Sequence, residues 1–494
     1  MTGHILTGRI GTDPDALLDE AVLTPQFDFE RREYLPYYLR IERALLAEYQ
    51  RMGVLDAAGV EAVSRGLEAV ERDGVSSDPA ANMSDIWFAV ERAVHTAGGT
   101  PPPWHVDRSR NDIQACAQLM ASRGWLCATA DAVARVADGA HRLAAGHLRT
   151  PMPGYTHLQP AQVVTPAFYL LALADETLAV LTRLLATWDR MDACPLGAGA
   201  MAGQELPWDR DRLAHLLGFG APQPHALVSV ASRSWALEMS GDLSAFGVRV
   251  SRFVTDLMAW SGERGFLRLP DRLAGISSAM PQKKNYPVLE RIRGKSAHLS
   301  SIHLDVLLCQ RNTAFANSVE VAKEGGSQLL EAHRNAQLVS TLLAVVLDNA
   351  EFDTARMRAA VESDFLGGFG LANALTLDDG IPWRDAQALV GRYVVTVLDS
   401  GLDLAVPHPD LLRQVAAERG GHAVADAEGA LRRALDVDAN LLAKVSAGST
   451  GPDQVAALLD EQRGRLARIR AAWQERRSAA APEEGTTENG ELLP

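Results

Sequence analysis

The sequence predicts an all-α protein organised around a central bundle of long helices. Two observations carry this prediction. Between about residues 106 and 350, apolar residues recur at helical spacing over runs of roughly 25 to 40 residues, longer than the usual globular helix. No stretch of comparable length alternates apolar and polar residues as a half-buried strand does. Helices of that length bury their apolar faces against one another, in a bundle or an oligomeric helical core.

The elements follow in order. Residues 1–105 read as an N-terminal helical domain of short helices. From Tyr37 to Tyr49, Leu39, Ile41, Leu45 and Leu46 make one apolar face with charges between them. A further helix begins at Asp85-Ile-Trp-Phe-Ala-Val-Glu91, where Trp87 reads as core. Thr100-Pro-Pro-Pro103 then breaks the chain, because proline lacks the N–H that a helix needs.

The central bundle spans 106–350. Its first helix runs from Asn111 to about His147. The second starts at Thr165-Pro166, a capping residue followed by proline at the first helical position, and repeats Leu171, Leu178, Leu181, Leu185 and Trp188 along one face. Three more run about 226–262, 286–311 and 326–349. Residues 351–474 return to shorter helices, with turn signals at Asp378-Asp379-Gly380 and Pro407-His-Pro409. From Glu475 apolar residues almost vanish, which predicts a disordered tail over 475–494.

Composition excludes several function classes. A formal charge of -14 over 494 residues disfavours nucleic acid or an acidic membrane as partner. The four cysteines, Cys116, Cys127, Cys194 and Cys309, are scattered without a Cys-x-x-Cys pair, so neither a disulfide framework nor a zinc site is expected. The first residues have no basic segment leading into a long apolar run, so no signal peptide is expected. No apolar run reaches the length of a membrane span. The expected setting is the cytoplasm.

The chemistry concentrates in Gly275-Ile-Ser-Ser-Ala-Met-Pro-Gln-Lys-Lys-Asn-Tyr-Pro-Val-Leu-Glu290. Glycine, serines and Met280-Pro281 suit a mobile loop. Lys283, Lys284 and Asn285 supply positive charge and amide hydrogen bonds to an anion. From Val288 the pattern turns helical, so the loop is tethered to a rigid element carrying Glu290. A loop that closes over an anion from such a hinge suits a gated site. Three further blocks accompany it: His105-Val-Asp-Arg-Ser-Arg-Asn-Asp112, Met152-Pro-Gly-Tyr-Thr-His-Leu-Gln159 and Pro195-Leu-Gly-Ala-Gly-Ala-Met-Ala-Gly203.

In their order and spacing these four blocks resemble the fumarase/aspartase superfamily. Met280-Pro-Gln-Lys-Lys-Asn285 is most similar to the argininosuccinate lyase branch. The likeness runs from roughly residue 30 to 350. It implies a homotetramer in which five-helix subunits form a twenty-helix core and three subunits share each active site. It also implies β-elimination that releases fumarate from a small dicarboxylate adduct, with no cofactor and no metal. Ser277 would be the base that takes the carbon proton, and Lys283 and Asn285 would hold the carboxylate on which charge grows. Ser278 would add a hydrogen bond. His157, paired with Glu290, would carry a proton to the leaving nitrogen. Thr156 would bind a substrate carboxylate. So would Ser109, Arg110 and Asn111, at a helix start where free N–H groups favour anions.

Departures from the family pattern cluster on one half of the substrate. Ile276 intervenes between Gly275 and the serines, and Tyr286 follows Asn285 where the family has proline at once. Trp87 replaces a histidine. In His225-Ala-Leu-Val-Ser-Val-Ala-Ser-Arg-Ser234, Arg233 remains, but Val228, Ser232 and Ser234 replace carboxylates. Phe315 and Glu320 replace a tyrosine and a glutamine, while Lys323 is kept. Arg233, Glu320 and Lys323 thus fall where the family holds its leaving group. The fumarate half reads as intact and the leaving-group half as remodelled. That favours a diverged lyase acting on another aspartate- or succinate-type adduct, with nitrosuccinate as one small example. An ordinary argininosuccinate lyase is the second reading, and a silent, crystallin-like structural member a third.

Overall fold

The structure, a computed structural model, describes residues 12–78 and 85–480. The expected absence of a signal peptide concerns residues outside that span, as does most of the expected tail.

The N-terminal part packs α1 (Thr24–Glu33), α2 (Leu35–Arg51), α3 (Ala57–Asp73) and α4 (Ile86–Gly98). Each takes the form its sequence dictates. Asp56 and Asp85 cap α3 and α4 by accepting from Gly59 and Trp87 N–H. Trp87 is core, 8% exposed, as expected. This core runs without a break into the central bundle, so the boundary at 105 marks a turn in the chain and not a division of the hydrophobic interior.

Five long helices make the bundle: α5 (Arg110–Ala145), α6 (Pro166–Arg190), α7 (Ser234–Ser261), α8 (Pro287–Gln310) and α9 (Leu329–Asp348). Thr165 Oγ1 caps α6 by accepting from Phe168 N–H at 3.0 Å, with Pro166 at the first position. Cross-links fix their directions. Gln118 meets Ala322, Thr129 meets His333 and Arg142 meets Asp348, so α5 and α9 run parallel. Ser240 meets His303 and Ser244 meets Ser300, so α7 and α8 run antiparallel. Thr187 meets Asp242 and Tyr169 meets Asp256, so α6 opposes α7. The starts of α5, α7 and α9 therefore share one end of the bundle with the finish of α8. The starts of α6 and α8 share the other. At about 1.5 Å per residue, α5 is about 54 Å long and α8 about 36 Å.

Two sequence expectations are corrected. The helix expected over 226–262 is broken: Ala226–Ala231 ends, Ser232 is extended, and α7 starts at Ser234. Buried Arg233 fills the break and donates to Val230 and Ser232 carbonyls at 3.2 and 2.9 Å, which satisfies groups a continuous helix would have used internally. The block Met152–Gln159 forms a hairpin, β1 (Met152–Thr156) with β2 (Gln159–Val164), joined by a two-residue turn with positive φ at His157 and Leu158. The last helix does not stop at 474. Helix Pro452–Ala480 continues because Arg476 and Arg477 reach Asp189 and Asp131, and Trp473 packs edge-on against Trp188. It belongs to the bundle core, whereas residues 365–435 build a separate small core.

Candidate active site

The candidate residues divide between the two ends of the bundle. At the hairpin end, Thr156 and His157 sit exposed at the tip of β1, held from below by Arg264 stacked 3.7 Å from the Tyr155 ring centroid. Beside the start of α8 lies the loop 275–286. Its base is closed where Gly275 pairs with Asn285 and Ile276 with Lys284. The neighbouring lysines differ. Lys284 is a fastener, 2.9 Å from Asp271 and donating to Leu269 O, and that carboxylate raises the ammonium's pKa. Lys283 is exposed and its ammonium makes no hydrogen bond or ion pair among the described residues, so its charge is available to an anion. The Tyr286 hydroxyl accepts from Leu269 N–H and lies 3.3 Å from its carbonyl, so this departure from the family pattern ties the loop base down.

Ser277 is half-buried, and its Oγ accepts from Met280 N–H at 3.0 Å, a turn that curls the loop around it. Ser278 is exposed, Asn285 half-buried, and Glu290 exposed in the first turn of α8. The single chain brings no ion pair between His157 and Glu290.

At the other end, Ser109 caps α5 by accepting from Asn111 N–H at 3.2 Å. Asn111 Nδ2 donates to Ala200 O at 3.0 Å. Arg110 is balanced by Asp85 at 2.5 Å. Asp112, in the same block, accepts from Gly197 and Gly199 N–H at 3.1 and 3.0 Å. It clamps the loop 195–203 onto α5, and burial pushes its carboxyl up to about 7. Within the block, Arg108 is buried with Glu42 at 2.5 Å and lies over the Trp87 ring.

Lys323 and Arg233 fall at this end too. Lys323 Nζ is 2.9 Å from Glu30, whose carboxyl burial raises although the lysine opposes it. Arg233 donates from Nε to Gln118 Oε1 at 3.0 Å, and Gln118 Nε2 donates to Ala322 O at 2.6 Å. Glu320 and Phe315 are exposed, so repulsion from Glu320 is screened by solvent. The sequence reading missed Glu30, Gln118 and the role of Asp112. Gln118 was within reach, since it lies seven residues after Asn111 on the same helix face. Glu30 carried no signal, because one acidic residue among many in α1 reads as surface.

Exposed apolar side chains stand beside both clusters: Leu158 and Ile276 at the hairpin end, and Phe315 and Val319 at the other, 80%, 95%, 61% and 60% exposed. Among the described residues no group of three or more His, Cys, Asp or Glu is placed to hold a metal. No helix among them is long and apolar enough to cross a membrane.

A lyase family model matches residues 94–300. The argininosuccinate lyase of Synechococcus sp. (strain JA-3-3Ab) is 32% identical over 467 residues, covering 93% of this chain and 92% of that protein. The argininosuccinate lyase of Gloeobacter violaceus is 33% identical over 461 residues, covering 91% and 92%. Among solved structures, EDDS lyase in complex with formate superposes with a TM-score of 0.84 at 26% identity, covering 96% of this chain and 94% of that one. Class II fumarase from Schistosoma mansoni shares the fold alone, at a TM-score of 0.64 and 15% identity. With four motif blocks in order, an all-α bundle and relatives matched over nearly its whole length, the chain belongs to the fumarase/aspartase superfamily, in its argininosuccinate lyase-like branch.

Proposed function

We propose that the chain eliminates fumarate from an N-substituted aspartate or other succinate-type adduct whose leaving group differs from arginine. As a carbon–nitrogen lyase it needs a base for the carbon proton, fixed positive charge for the dianion that forms, and an acid for the departing nitrogen. Ser277 supplies the base, activated by the closed loop. Lys283 and Asn285, with Ser278, hold the carboxylate whose charge grows. His157 with Glu290 protonates the nitrogen, and Thr156, Ser109, Arg110 and Asn111 orient the second carboxylate. Solved relatives fit this chemistry, one being an EDDS lyase variant with bound fumarate.

The observation that carries the divergent reading is the pair at the leaving-group end. Lys323 is already neutralised by Glu30, so an incoming carboxylate meets a balanced pair and not a free cation. The residues carrying the two halves of the reaction also lie at opposite ends of a bundle whose helices measure tens of ångströms. In our reading each site is completed between copies of the chain, in a homotetramer, and the exposed Leu158, Ile276, Phe315 and Val319 are covered there. We place the enzyme in the cytoplasm, consistent with its four free cysteines.

The test is fumarate absorbance on incubation with argininosuccinate, a series of N-substituted aspartates and nitrosuccinate. The reading expects fumarate from at least one small adduct and a poor rate with argininosuccinate. An ordinary rate with argininosuccinate favours the second reading, which the names and identities of the curated relatives support. Silence with all of them favours a structural member.

A further inference from the structure

At the hairpin end a short strand, β3 (Leu267–Arg268), is tied to both of the segments that carry candidate proton-transfer groups. It follows directly on α7, where Phe266 N–H donates to Trp260 O at 2.7 Å. Along one edge it pairs with β4 (Glu351–Phe352), and Phe266 O accepts from Asp353 N–H at 2.9 Å. Phe266, Leu267 and Leu269 are buried, so the strand is fixed in the core.

In an antiparallel ladder alternate residues turn their N–H and C=O to opposite edges. Phe266 faces β4, so Leu269 faces the other edge, where side chains of the loop 275–286 meet it. Leu269 N–H donates to the Tyr286 hydroxyl at 3.2 Å. Its carbonyl accepts from Lys284 Nζ at 2.9 Å, with the Tyr286 hydroxyl 3.3 Å away. Lys284 also lies 5.5 Å from the Tyr286 ring centroid and 2.9 Å from Asp271. An ion pair as exposed as Lys284 with Asp271 contributes little by itself. The peptide groups of Leu269 matter more, because they lose these partners if the stem of the loop swings away. Just before the strand, Arg264 stacks 3.7 Å from the Tyr155 ring centroid, and Tyr155 leads into Thr156 and His157. Arg264 N–H donates to Ala259 O at 3.1 Å, so this guanidinium also starts from fixed backbone. Packing alone accounts for the buried strand. It leaves unexplained why the outward contacts on its two sides land on the segments carrying Ser277 and His157.

We propose that the segment 264–271 is a shared positioning element for proton transfer, in which Tyr286 and Lys284 fix the loop of Ser277 and Arg264 fixes the hairpin of His157. The inference rests on the roles given to Ser277 and His157 above, and adds three positioning residues that act through them. A misplacement of about 1 Å can cost about a hundredfold in rate, so clamps at these stems are enough to govern turnover.

Two measurements on the full-length protein test it. Hydrogen–deuterium exchange read by mass spectrometry reports the clamps. Tyr286→Phe combined with Lys284→Met should speed exchange in residues 275–286 by about tenfold and leave 152–164 unchanged, and Arg264→Gln should do the reverse. Fumarate release from argininosuccinate, N-methylaspartate and nitrosuccinate reports the consequence. Loss of the loop clamp should lower kcat by about tenfold to a hundredfold with KM within about twofold. It should also raise the isotope effect on adducts deuterated at the carbon that gives up its proton. Loss of the hairpin clamp should slow N-methylaspartate, whose amine must be protonated, about tenfold more than nitrosuccinate, whose nitrite need not be. Lys284→Arg and Arg264→Lys should each restore part of the rate. Faster exchange with kcat, isotope effect and leaving-group dependence unchanged makes the clamps structural only and overturns the proposal. Unchanged exchange in both segments overturns it as well. Ser277→Ala and His157→Asn, run alongside, separate this failure from that of the reading beneath it: full turnover in either removes that residue's role, and the clamp on its segment falls with it. A wild type silent with all three adducts overturns both.

Discussion

Lys323 Nζ lies 2.9 Å from the Glu30 carboxylate, both largely buried, with Gln26 and Gln114 also directed at the same oxygen. Glu30→Gln removes the negative charge and leaves Lys323 a cation without a counter-ion. Breaking a buried pair costs about 3 kcal/mol or more, so thermal denaturation should show a lower Tm. The freed ammonium should also raise whatever cleavage of argininosuccinate the protein has, relative to small adducts, and Phe315→Tyr with Glu320→Gln should add to it. An unchanged rate ratio across these variants, with the fold intact, places the barrier to argininosuccinate elsewhere.

The bundle and its motifs were legible in the sequence because helical periodicity and ordered blocks are local signals. Each of the five long helices starts within a few residues of its expected position, except where Arg233 breaks 226–262. What could not be read was long-range pairing. Glu30 meets Lys323 across 293 positions, and Asp112 meets Gly197 and Gly199 across 85 and 87. Nothing in the periodicity of α1 or α5 names those partners. The hairpin was missed because Pro153, Gly154 and Pro160 mask strand alternation, while its two-residue turn is made by His157 and Leu158 rather than Asn-Gly.

Ser277→Ala removes the proposed base and one loop hydrogen bond, but no buried bulk. Fumarate release should fall by about a hundredfold to ten-thousandfold, the span that general base catalysis supplies. His157→Asn should fall less with an easily departing group than with a basic amine. Near-normal turnover in Ser277→Ala, with a wild-type circular dichroism spectrum, removes this serine from the mechanism.

Asp112 gives a pH signature. Its carboxyl is raised from 3.8 to about 7, chiefly by burial, so between those values the folded protein holds a proton that the unfolded chain has released. The stability this contributes is fully present below the unfolded value and is lost as pH rises through about 7. Asp112→Asn keeps the shape and cannot titrate. Its Tm should therefore decline less between pH 4 and 8 than that of the wild type. Parallel Tm profiles for the two proteins would show that the carboxylate is ionised throughout, stabilised by Gly197 and Gly199 N–H.

Asn111 stands at the start of α5, at the end of the bundle opposite the loop holding Ser277 at the start of α8. If a site joins the Asn111 end of one copy to the Ser277 loop of another, two inactive proteins can rescue each other. Asn111→Ala and Ser277→Ala should each be inactive alone. After they are unfolded together and reassembled, a site is free of lesions when its Asn111 region comes from the Ser277→Ala chain and its Ser277 region from the Asn111→Ala chain. Random mixing makes that about a quarter of sites, so about a quarter of wild-type turnover should return. Mass spectrometry of the intact assembly shows whether hybrids have formed. Hybrids that stay inactive mean that the two regions do not meet across copies, and the shared-site reading then falls even if Ser277 is the base.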